Sequence, residues 1–370
     1  MSASQSDLFT PLTFGTTHAL NRVVMAPMTR SRAAQPGDTP TRDTAEYYAQ
    51  RASAGLIVTE GTNISPEGKG YSLTPGIWSD EQTIAWKVVT DAVHHAGGRI
   101  FCQLWHVGRI SNRAASGTQP VAPSAITAPG ISVWVARQDG TSGMAACEEP
   151  REMDAGDITR VVNDYAAAAA NALRAGFDGV ELHGANGYLI DQFLRSTTNF
   201  RTDSYGGDRQ RRTQFLIDVV DAVSRVVGPG RVGVRLSPFV DFPDTRDPEI
   251  WDTTLTAASR LCAAGIAYLH IAESDVDATS TWDITDDWRQ SLRAAFSGPI
   301  IVAHNYNRET ATAIIATGLA DAVAFGRPYI ANPDLVERFR SGYPLSTSRH
   351  ETWYGGTAVG YTDYPRFQRN

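Results

Sequence analysis

Eight short apolar runs recur along the chain, and helix-like segments lie between most of them. The runs are Arg22–Met25, Leu56–Thr59, Ile100–Leu104, Gly179–Leu182, Val232–Leu236, Tyr268–Ile271, Ile300–Ala303 and Ala322–Phe325. The intervening stretches Asp80–Ala96, Asp157–Ala175, Arg211–Val226, Trp251–Ala264 and Arg308–Thr317 are amphipathic. A strand–helix unit repeated in this way implies parallel pairing, and eight parallel strands close into an α/β TIM barrel, (β/α)8. Such barrels reach 370 residues as one domain, so residues 1–370 read as a single domain. Gly55, Gly97, Gly176, Gly265 and Gly318 stand at helix-to-strand joints, where a left-handed C-cap is expected.

Two segments depart from the repeat. After the third run, a stretch from about Trp105 to Pro150 is rich in Ser, Thr, Pro and Gly. A long excursion at that position reads as a functional lid. The C-terminal segment Ser346–Asn370 carries Trp353, Tyr354, Tyr361, Tyr364 and Phe367, an aromatic density expected of a docked tail.

Composition narrows the partners. The net charge is −7, which disfavours nucleic acid and anionic membranes. No apolar run reaches the ~20 residues of a membrane helix. Met1 to Thr10 shows no basic and apolar signal pattern, and Cys102, Cys147 and Cys262 form neither a disulfide framework nor a metal motif. A cytoplasmic protein is expected.

Active sites of such barrels collect where strands end at their C-terminal side. The residues there are Pro27-Met28-Thr29, Glu60-Gly61-Thr62, Gln103-Leu104-Trp105-His106, His183 to Tyr188, Arg235, His304-Asn305 and Gly326-Arg327. Lysine is missing from this set: the chain has only Lys69, in a loop, and Lys87, in a helix, which argues against Schiff-base chemistry. Glu181 and His183 share a strand face, yet no converging ligands are evident, so no metal is expected.

Gly326 and Arg327 follow the last strand, where barrels of this kind bind phosphate. Their backbone N–H groups and forked guanidinium suit that role, although an ordinary turn would look the same. His183 and Asn186 can both donate to one oxygen, and Tyr188 beside them can deliver a proton; the bland reading is a capped helix start. Gln103 can meet a heterocycle edge or satisfy the core. Arg235 needs an anion or a polar mouth.

Taken together, Asn21–Arg30, Gln103–Arg109, His183–Leu189, Asn199–Gly207, Phe325–Tyr329 and Tyr361–Pro365 resemble the Old Yellow Enzyme family. The likeness is to its bacterial branch of pentaerythritol tetranitrate, morphinone and N-ethylmaleimide reductases, and it spans nearly the whole chain. The resemblance implies a non-covalently bound FMN, reduced by NADPH or NADH, that passes hydride to activated alkenes such as enones, nitroalkenes and maleimides, with nitrate esters as side substrates. It implies that Pro27, Met28, Thr29, Gly61, Gln103 and Arg235 line the flavin and that Gly326 and Arg327 hold its phosphate. His183 and Asn186 would bind the activating oxygen, Tyr188 would protonate the α-carbon, and Tyr71, Trp105, Trp282 and Tyr354 would wall the pocket.

Three departures stand out. Asn186 replaces the second His of the pentaerythritol tetranitrate branch. Thr29 replaces the Cys of the thermophilic-like subgroup. His304-Asn305 replaces small residues near the phosphate, so their side chains are expected to contact the cofactor or crowd it. The readings left beside this one are a phosphate-binding barrel isomerase or lyase without flavin, and a non-catalytic flavin-binding protein. The first needs a carboxylate or lysine base in the pocket.

Overall fold

The computed structural model describes residues 7–137, 139–239, 246–273 and 284–368. Its centre is a closed ring of eight parallel strands: β1 Val23–Met25, β2 Leu56–Val58, β3 Ile100–Trp105, β4 Gly179–Gly184, β5 Val232–Leu236, β6 Tyr268–Ala272, β7 Ile300–Ala303 and β8 Ala322–Phe325. Each strand pairs with the next, and β8 pairs with β1 through Val323↔Val23 to Phe325↔Met25. The helices that alternate with them are α1 Arg42–Gln50, α2 Asp80–His95, α3 Ala155–Arg174, α4 Gln214–Val227, α5 Ile250–Ala264, α6 Asp286–Ala295, α7 Arg308–Ala316 and α8 Leu335–Ser341. The expected (β/α)8 barrel is the observed one.

Strand periodicity sorts the side chains into two cores. Outward residues such as Val180, Leu182, Val232, Val234, Leu269 and Ile271 pack against the helices. Inward residues Val24, Leu56, Val58, Phe101, Tyr268, Ile301, Ala322 and Ala324 form a separate cluster inside the ring. A small antiparallel hairpin, Leu12–Phe14 with Thr17–Ala19, adds Phe14 to that inner cluster. The Phe14 ring lies 5.5 Å from Tyr268, edge to face. This plug was not expected from sequence.

Local signals explain the helix starts. Ser79 and Asp154 each accept a bond from the backbone three residues on, completing capping boxes with Gln82 and Asp157. Gly97, Gly176, Gly265 and Gly318 adopt the left-handed backbone expected of C-caps. Gly55 does not. A side chain there would meet the Asn21 carbonyl oxygen at 2.0 Å, so its glycine serves the close approach of β2 to the chain before β1.

The excursion after β3 carries an antiparallel hairpin, Ser132–Ala136 with Ser142–Ala146. Val133, Val135, Ile110, Ala128 and Cys147 form a satellite core there, and Tyr71 and Tyr188 pack against it. The C-terminal segment is docked. Arg30 donates to the carbonyls of Trp353 and Gly360, and Arg32 to those of Thr352 and Thr357. Among the described residues, no helix is long and apolar enough to cross a membrane.

Candidate active site

The inward residues change character along the barrel axis. Below lie the apolar side chains of the inner cluster; above them come Gln103, Glu181 and His270, all buried. At the C-terminal rim stand Trp105, His183 and Arg235, the last paired in register with His183. A polar layer capped by aromatic and cationic groups is a binding mouth, not a packing layer.

Four of the flagged residues form one aromatic wall. The rings of His183 and Tyr188 are 5.0 Å apart, edge to face, and Trp105 stands 5.0 Å from Tyr188 in the same manner. Tyr71 stacks 5.7 Å from Trp105, and its hydroxyl is 3.5 Å from that of Tyr188. Burial pushes the Tyr188 hydroxyl well above its ordinary pKa, with Tyr71 adding to the rise; Tyr71 itself is pushed up to about 12 by burial. Both phenols therefore keep their protons. Burial, with Arg235 and His270 nearby, holds His183 well below its usual value, so its imidazole is neutral. Among the described residues its Nδ1 is buried without a partner, as are Trp105 Nε1 and Arg235 Nε. Buried polar atoms left open in this way mark a place for a polar ligand.

The turn bearing Asn186 and Tyr188 is held from below. Asn186 adopts φ 58°, and its backbone N–H donates to Ser237 Oγ at 2.7 Å. Gly187 N–H donates to Asp191 Oδ2 at 2.8 Å, and Arg195 links Asp191 to the Ser237 carbonyl. Gln192 bonds the carbonyls of both Val107 and Gly187, tying the loop after β3 to this turn. These four supports, Asp191, Gln192, Arg195 and Ser237, were not singled out from sequence. For Asp191 and Gln192 the available signal was a polar side chain on the short buried helix Leu189–Leu194.

Pro27, Met28 and Thr29 are half-buried beyond β1. Met28 Sδ would be 3.6 Å from a Cβ at Gly326, and chain neighbours aside no described residue lies closer to that position. Packing and φ do not demand glycine there, so Gly326 leaves its backbone open to a ligand. At Gly61 a Cβ would strike the Trp105 indole at 2.5 Å, so the close approach of that ring requires glycine. Arg327 is exposed, with its guanidinium 5.4 Å from the Trp353 ring. His304 and Asn305 are exposed beyond β7. Tyr354 is 64% exposed on the docked tail, near enough to Tyr71 and Tyr188 to raise their pKa values. Trp282 lies outside the described residues.

Glu60 is a carboxylate at a strand end, the kind of group that an isomerase reading required. It is 2% exposed, and its Oε2 accepts the Arg30 N–H at 3.1 Å. Burial raises its pKa to about 7.

Comparison with known proteins agrees with this geometry. Residues 7–346 match the model of the NADH:flavin oxidoreductase / NADH oxidase family. The fold superimposes on morphinone reductase with a TM-score of 0.96 at 48% identity, covering 99% of this chain and 98% of that one. The old yellow enzyme homologue from Zymomonas mobilis gives 0.92 at 46% identity, covering 98% and 100%. Arabidopsis thaliana 12-oxophytodienoate reductase 2 is 41% identical over 98% of this chain and 96% of its own. The residues present fit FMN: open buried polar atoms and an arginine at the rim, the Gln103 amide in the layer below, and Gly326-Arg327 beyond the last strand. The chain therefore belongs to the NADH:flavin oxidoreductase / NADH oxidase family, the Old Yellow Enzymes, as an FMN-dependent oxidoreductase supplied by a reduced nicotinamide.

Proposed function

We propose that this protein reduces the carbon–carbon double bond of small alkenes activated by a carbonyl or nitro group. The observation that carries the reading is the pairing of His183 and Tyr188. A neutral imidazole, its buried Nδ1 unpartnered among the described residues, stands 5.0 Å, ring to ring, from a phenol that keeps its proton. Bound FMN supplies the hydride chemistry, drawing on NADH or NADPH and delivering to the alkene.

The protein's own residues do the rest. His183 and Asn186 donate to the activating oxygen and draw electron density from the β-carbon. Tyr188 delivers a proton from its hydroxyl to the α-carbon. Thr29 and Gln103 bond the flavin ring edge, Arg235 offers positive charge to it, and Gly326 with Arg327 holds the phosphate. Tyr71 and Trp105 wall the pocket, Tyr354 stands at its rim, and the hairpin of the excursion backs Tyr71 and Tyr188, limiting water. Enones, nitroalkenes and maleimides fit this arrangement. Nitrate esters fit as side substrates, because their reduction expels nitrite and needs no carbon protonation.

His183→Ala and Asn186→Ala test the oxygen-binding role. Stopped-flow measurement should show enone reduction slowed by about 10²–10³ in each, the loss typical of one such donor. Unaltered enone rates in both variants would reject the assignment.

A further inference from the structure

Glu181 sits at the centre of the polar layer and is fully buried. Its Oε1 accepts from Gln103 Nε2 at 2.8 Å. Its Oε2 accepts from the Tyr268 hydroxyl at 3.1 Å and faces His270 Nδ1 at 2.9 Å. Four strands meet there: β3 gives Gln103, β4 gives Glu181, and β6 gives Tyr268 and His270, while β5 brings Arg235 within electrostatic reach. Burial raises the pKa of the carboxyl, but His270, Arg235 and Gln103 outweigh it, and the group is held below its ordinary value. Glu181 is therefore an anion, able only to accept.

We propose that Glu181 is a positioning residue for the cofactor, fixing the Gln103 amide and balancing the charge of Arg235. This rests on the FMN reading above. An anionic acceptor dictates which end of the amide it meets. Nε2 must turn to Glu181, which leaves Gln103 Oε1 without a protein partner among the described residues. An open acceptor suits a ring edge that presents an N–H, as the imide of a flavin does. A neutral partner would allow both amide orientations and lose that selection.

The second consequence is electrostatic. Two-electron reduction places negative charge on the flavin, which Arg235 favours and Glu181 opposes. In a buried layer this interaction is weakly screened. The charge on Glu181 thus lowers the preference for the reduced cofactor, keeping it a ready donor.

The two effects separate experimentally. Glu181→Gln removes the charge at nearly constant volume. Redox titration of the FMN-loaded variant should show reduced FMN favoured about tenfold over wild type, a shift of about 30 mV to more positive potential for a two-electron couple. Glu181→Asp keeps the charge but withdraws it from Gln103. Equilibrium dialysis should then show FMN affinity weakened about tenfold, with the potential near that of wild type. Circular dichroism checks that each variant folds, and the Asp variant carries the test if the Gln variant does not. Unchanged potential in Glu181→Gln, or unchanged FMN affinity in Glu181→Asp, overturns the proposal. A wild-type protein that fails to bind FMN would instead overturn the cofactor reading.

Discussion

Burial keeps the Tyr188 hydroxyl protonated, and the nearby phenols of Tyr71 and Tyr354 reinforce it. Tyr188→Phe keeps the ring contacts with Trp105 and His183 and removes only the acid. Enone reduction should fall by ~10²–10⁴, while reduction of the flavin by nicotinamide and turnover of nitrate esters persist. An enone rate at the wild-type level would assign the proton to another group. Glu60 behaves differently, because its carboxyl is raised to about 7 by burial. As pH rises past the ordinary carboxylate value, the unfolded chain releases this proton while the folded protein holds it until about 7. Stability contributed by the protonated group is complete below the unfolded value and is lost as pH climbs through 7. Glu60→Gln stays neutral throughout, so its melting temperature should gain on that of wild type between pH 5 and pH 8. A difference that stays constant over this range would contradict the raised value. Sequence placed Tyr188, His183 and Asn186 together because they share one turn after one strand. It passed over Glu60 as a site acid, since burial beside Arg30 is a tertiary fact.

The docked tail shows how an element can be half legible. Its aromatic residues announce that it packs. Its partners, Arg30 and Arg32, lie more than 300 residues earlier in the chain, and nothing in the sequence links them to it. Together they meet the backbone carbonyls of Thr352, Trp353, Thr357 and Gly360, fixing Trp353 and Tyr354 near Arg327 and the phenols. Bonds from a charged donor are worth roughly 1.5–3 kcal/mol each. Arg32→Ala should therefore loosen the segment around residues 350–361, seen as faster limited proteolysis there, with a global loss on the order of 2 kcal/mol in denaturant unfolding. Proteolysis at the wild-type rate would show that Arg30 alone holds the strap. The Leu12–Phe14 hairpin was missed for a simpler reason: three-residue strands give too few positions for a period to register.

Across the molecule, the barrel was readable because every strand alternates an outward apolar residue with an inward one, and the repeat sets the ring. The strand limits differ from expectation by one or two residues at several ends, chiefly where β3, β4 and β6 continue to Trp105, Gly184 and Ala272. What the repeat cannot show is which inward residues share a height. Glu181, Gln103, His270 and Tyr268 are spread over 168 positions of sequence and meet only after closure. The same closure gathers the rim groups into one mouth suited to a flavin and an activated alkene. The visible spectrum of the purified protein, followed by NADPH and NADH oxidation under anaerobic conditions with and without 2-cyclohexenone, examines that reading. The expected result is a yellow protein whose flavin bands bleach with one of the nicotinamides and return when the enone is added, with the saturated ketone as product. A protein that binds FMN and bleaches, but whose bands do not return with any enone, nitroalkene or maleimide, would contradict it.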